Sequence, residues 1–80
     1  MGIARKCIIT GRNKINGVFY MLNEDTTDLG NVWYTGGNEQ KVRKECKRKI
    51  FATTKEANAF VRQIRNLPNT WDTQWFVERI

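Results

Sequence analysis

The sequence predicts an α+β fold: an antiparallel sheet of four to five strands with one helix packed on one face, in the order β-β-β-(β)-α-β. Three observations carry this expectation. Short runs of β-branched and aromatic residues are bounded by Gly- and Asn-rich turns, the pattern of strands. One later stretch repeats apolar residues at helical spacing behind a capping signature. The last stretch alternates at period two.

Residues 3–10 read as the first strand, with Cys7 and Ile9 on one face and Ile8 on the other. Asn16-Gly17 marks a two-residue hairpin turn, because both residues tolerate positive φ. The apolar run Val18-Phe19-Tyr20-Met21-Leu22 suits a central strand covered on both faces. A polar loop follows, holding Glu24, Asp25, Asp28 and Gly30. Residues 32–35 form a short third strand, stopped by Gly36-Gly37. Residues 38–49 fit either regular element. Val42, Cys46 and Ile50 are spaced by four, which is one face of a helix and equally one face of a strand. A strand ending near Phe51 is expected, entered through a turn at Gly36-Gly37-Asn38.

The spacing predicts a helix over residues 54–66. Thr53 and Glu56 make a capping box, and Ala57, Phe60, Val61, Ile64 and Leu67 form one apolar stripe. Arg62 and Arg65 suit the negative C-terminal end of the helix dipole, and Pro68 prevents continuation. Residues 73–80 then alternate Trp75, Val77 and Arg79 against Phe76, Glu78 and Ile80.

With 80 residues the chain makes one domain, and 40% apolar content is enough to fill a thin core. No apolar run approaches the roughly 18 residues of a membrane span. No secretory leader is visible, so the chain is expected to be cytoplasmic. Cys7 and Cys46 are expected to stay reduced there.

Catalysis finds little support. The chain has no histidine, the commonest general acid or base. Gly11 and Gly36-Gly37 match no phosphate-cradling loop. Two thiols without a histidine or a CxxC pair neither hold zinc nor make an activated nucleophile. A non-catalytic chain without cofactor or metal is expected.

The concentrated signal is basic. The formal net charge is +6, and Lys41, Arg43, Lys44, Lys47, Arg48 and Lys49 crowd into nine residues opposed by Glu45 alone. Arg5, Lys6, Arg12 and Lys14 form a looser second group, which merges with the first if the first strand lies beside it. Such a patch is the electrostatic footprint of a nucleic-acid binder; a solvated edge strand carries the same residues to block aggregation. Trp33 and Tyr34 are adjacent, so on a strand one points away from the other and could stack on bases or anchor a protein partner.

The stretch Arg48-Lys49-Ile50-Phe51-Ala52-Thr53-Thr54-Lys55-Glu56-Ala57, followed by Phe60, resembles the strand-to-helix junction of arm-type DNA-binding domains in tyrosine recombinases. The resemblance covers residues 47–64 and implies a sheet surface that enters a DNA groove. This chain departs from that pattern by running on into a final strand. In overall style it resembles the small phage or mobile-element accessory proteins, a class that includes anti-restriction and anti-CRISPR inhibitors, which would place it in a host cytoplasm. Two readings follow. The basic surface contacts nucleic acid or a nucleoprotein. Alternatively the chain is a protein-binding inhibitor or adaptor that seeks an acidic protein surface through exposed aromatics.

Overall fold

The structure is a computed structural model and describes residues 6–26, 32–67 and 72–80. Among these residues the chain forms four strands and two helices: β1 (Cys7–Asn13), β2 (Phe19–Leu22), β3 (Tyr34–Gly37), α1 (Glu39–Glu45), α2 (Thr54–Ile64) and β4 (Thr73–Arg79). The sheet is antiparallel throughout, in the order β3-β2-β1-β4. The α+β class and the antiparallel sheet are as the sequence predicts. The number and placement of helices differ.

Residues 38–49 are not a strand. Asn38 caps α1, its side chain accepting from the N–H groups of Gln40 and Lys41. Glu39 complements the dipole in the first turn, and the spacing of four between Val42 and Cys46 serves as a helical face. Val42 is buried against Ile8, Phe19 and Met21. On the other face of the sheet, Ala57, Val61 and Ile64 of α2 pack on Cys7, Ile9, Leu22 and Trp75. The sheet is therefore covered on both faces, not on one. Cys7 and Cys46 lie under different helices, so no disulfide joins them.

The segment between the helices crosses from one face to the other. The β1–β2 ladder ends at Thr10 and Met21. Beyond it, Lys49 N–H donates to Leu22 O at 2.9 Å and Glu24 N–H donates to Lys47 O at 2.8 Å. Cys7 and Phe51 exchange both backbone hydrogen bonds, at 2.9 and 2.8 Å. The chain enters with Cys46 on the α1 side and leaves with Phe51 under α2.

Turns depart from expectation in two places. Asn13 N–H donates to Val18 O, so the β1–β2 loop has four residues, with Gly17 at a φ of 73°. Gly36 and Gly37 do not stop β3 but belong to it. A Cβ at Gly36 would meet the Tyr20 ring, and one at Gly11 would lie 2.7 Å from the Trp75 ring. These rings therefore occupy the space that a side chain at Gly11 or Gly36 would fill. Tyr34 joins them edge-on, with centroids 5.3 Å from Tyr20 and 5.8 Å from Trp75.

The cap of α2 is as expected, Thr53 Oγ1 accepting from Glu56 N–H at 3.2 Å. Phe60 sits at the margin of the stripe, half-buried against Phe51. Pro68 and Trp71 lie outside the described residues. Ile64→Ala should cost about 2–5 kcal/mol, since its side chain is fully enclosed. Thr53→Ala should cost about 1 kcal/mol by leaving one N–H of the first turn unpaired. Urea denaturation of both variants checks the ranking, Ile64→Ala being the more damaging.

Candidate nucleic-acid interface

Helix formation by residues 39–45 divides the basic run. Lys41 and Lys44 stand exposed on α1, and Lys47 and Arg48 are exposed just past its C-cap, Cys46. None of these four makes an ion pair among the described residues. Lys49 is half-buried, with Nζ 5.8 Å from the centre of the Phe51 ring.

Arg43 has a structural place instead. Its guanidinium grips Glu78 of β4 through both carboxylate oxygens, at 2.9 and 3.0 Å, and its Nε donates to Glu39 at 3.0 Å. It also lies over the ring of Phe19, 4.8 Å from the centroid. Arg12 pairs with Glu39, donates to Gly17 O at 3.2 Å and flanks the same ring at 5.5 Å. Two residues proposed for partner contact thus hold α1 on the sheet. The Phe19 ring is nearly fully buried, and the two guanidinium groups that cover it are attracted to its electron-rich face.

These pairs act on the acid as well. The hydrogen bond from Arg43, reinforced by Arg12, holds the Glu39 carboxyl below its ordinary value against the opposing effect of burial. Arg43 is held above its ordinary value chiefly by the hydrogen bond to Glu78.

The second basic group does not gather as one. Lys6 precedes β1 and is exposed beside the crossing segment, whereas Lys14 lies in the hairpin loop past the far end of β1. Arg5 lies outside the described residues. The aromatic neighbours separate as strand geometry requires. Tyr34 packs on Tyr20 and Trp75, while Trp33 is 58% exposed.

Asn23, the polar residue that follows the apolar run of β2, links Trp33 to the basic run. Its N–H donates to Trp33 O at 2.8 Å, and a β-bridge pairs it with Arg48. Its Oδ1 accepts from Thr35 Oγ1 at 2.7 Å and from Cys46 Sγ at 2.9 Å. Trp33, Asn23 and Arg48 therefore occupy adjoining rungs. Exposed Glu24 and Asp25 border them.

Arg43→Ala should cost about 1–2 kcal/mol, a reduced value because all three charged side chains remain partly solvated. Lys44→Ala should stay within about 0.5 kcal/mol of the parent. Glu39, with its lowered folded-state pKa, contributes stability above its unfolded pKa and loses it as pH falls through the lowered value. The stability gap between the parent and Glu39→Gln should therefore close in acid, as thermal melts at stepped pH would show. The architecture and this basic surface stand on their own, for the chain matches no family model, no curated protein and no solved structure.

Proposed function

We propose that the chain is a non-catalytic binding module whose basic surface contacts nucleic acid or a nucleoprotein. The observation that supports this best is the exposed set Lys41, Lys44, Lys47 and Arg48, which makes no ion pair among the described residues and of which Arg48 is linked through Asn23 to exposed Trp33. Cations without internal partners are available to phosphates, and an aromatic face beside them offers a base a stacking surface. No helix among the described residues is long and apolar enough to cross a membrane.

The sequence of residues 48–57 supports placing the chain among small phage or mobile-element accessory proteins, acting in a host cytoplasm, although the segment before α2 makes isolated bridges at Arg48 and Phe51 and is not the strand that the resemblance implies. The inhibitor or adaptor reading shares the same Trp33, as an anchor against a protein. Salt dependence separates the two. An oligonucleotide should bind with log affinity falling against log salt by about 0.9 per duplex phosphate contact. Lys44→Glu with Lys47→Glu should weaken binding alike on all sequences and flatten the slope by roughly one unit per lost contact. Neither residue supports the fold, so the melting curve should not move. Fluorescence anisotropy at stepped salt measures all of this. Binding that is insensitive to the reversal would reject the basic surface and leave the protein-binding reading.

A further inference from the structure

The two edges of the sheet are unequal. β3 offers four residues, but β4 offers seven and pairs with β1 alone among the described strands. The direction of its backbone groups follows from the ladder. Ile80 N–H donates to Lys6 O at 3.0 Å and Lys14 N–H donates to Asp72 O at 2.7 Å, at the two ends of the register Cys7↔Arg79 to Asn13↔Thr73. Hydrogen-bonded pairs recur every second residue, so Gln74, Phe76 and Glu78 spend their N–H and C=O groups on β1. Thr73, Trp75, Val77 and Arg79 therefore turn theirs outward.

One of these outward groups has a stand-in partner. Arg65, just past α2, donates from Nη2 to Trp75 O at 3.4 Å. That carbonyl points where a neighbouring strand's N–H would come. Between α2 and this edge runs an open groove of about 410 Å³. Val61, Trp75 and Val77 supply its apolar floor, while Asn58, Arg62 and Arg65 line its helical side. Phe76, on the opposite face of the same edge, is 46% exposed.

We propose that this groove takes an extended acidic peptide, which adds as a fifth strand along β4. The incoming N–H replaces Arg65 on Trp75 O, and the guanidinium it frees pairs with a carboxylate of the peptide. Main-chain bonds to Trp75 and Val77 supply the attachment, and alternate side chains supply selectivity. One set of them faces the arginines and the apolar floor; the other lies beside Phe76. Charge argues for this occupant over a second copy of the chain. A two-fold pairing of β4 with itself would bring Arg62 and Arg65 against their own counterparts. A nucleic acid would meet the arginines but would leave the row of backbone donors and acceptors unmatched. The site is separate from the basic surface, at the opposite edge of the sheet and on the α2 face.

Amide hydrogen exchange on the full chain tests the proposal. The probes are a blocked synthetic heptapeptide alternating valine with glutamate, its glutamine counterpart and an oligothymidine. Without a probe, the Trp75 and Val77 amides should exchange much faster than those of Phe76 and Glu78. The glutamate peptide should slow Trp75 and Val77 selectively, and the glutamine peptide should bind about tenfold more weakly. Arg62→Glu with Arg65→Glu should reverse that preference. Both residues are exposed, and circular dichroism checks that the variant folds. The proposal falls if saturating glutamate peptide leaves the two amides unprotected or if the glutamine peptide binds equally well. It also falls if oligothymidine gives the protection instead, or if protection grows with protein concentration alone.

Discussion

The structure depends on a hairpin that is apolar on both sides. Cys7 and Ile9 of β1 face one way with Tyr20 and Leu22 of β2; Ile8 faces the other way with Phe19 and Met21. Each such side chain gains about 1.5–3 kcal/mol when removed from water, so neither face can be left bare in a small domain. One helix must lie on each side, and the chain between them must pass the sheet. Residues 47–51 do so where the ends of β1 and β2 diverge. Their backbone groups are met by Leu22, Glu24 and Cys7, so the crossing leaves the neighbouring strand ends hydrogen-bonded.

The two faces are sealed by different chemistry. Under and beside α2 the seal is aromatic, with Trp75 and Tyr20 filling the space at Gly11 and Gly36 and Tyr34 edge-on to both. Trp75 is nearly fully buried, and its Nε1 finds no acceptor among the described residues, so the ring is held by packing. Under α1 the seal is ionic and aromatic together. A seven-residue helix burying one Val has little hold of its own. Arg43 and Arg12, stacked at Phe19 and paired with Glu39 and Glu78, extend that hold across the sheet to β4.

This division sorts the positive charge. Arginines whose planar groups can stack and grip carboxylates are drawn into the fold. The lysines of α1 and the pair Lys47-Arg48 are left to solvent. The sheet edges add a separate resource. β3 is short, whereas β4 leaves a row of backbone groups facing a groove lined by two more arginines, Arg62 and Arg65. Edge strands are a hazard unless covered or charged, and here the arginines both discourage self-pairing and define what could pair.

Local chemistry in the sequence was enough for the elements that local chemistry specifies. The Thr53 cap, the stripe of Ala57, Val61 and Ile64, the double-sided run at 19–22 and the alternation at 73–79 each follow from periodicity or capping, and each is present. The basic run was legible as charge, because charge is a property of composition. Its division was not. Whether Val42 and Cys46 mark a strand or a helix is undetermined at a spacing of four, and Asn38 decides it by accepting from the N–H groups that follow. Gly36 read as a stop because the ring that covers it, Tyr20, belongs to another strand. The fate of Arg12 and Arg43, the meeting of Asn23 with Arg48, and the open outer row of β4 all depend on partners 25 to 35 residues apart or on a missing neighbour. Such relations exist only once the two faces of the hairpin have been covered, which is a decision of tertiary packing.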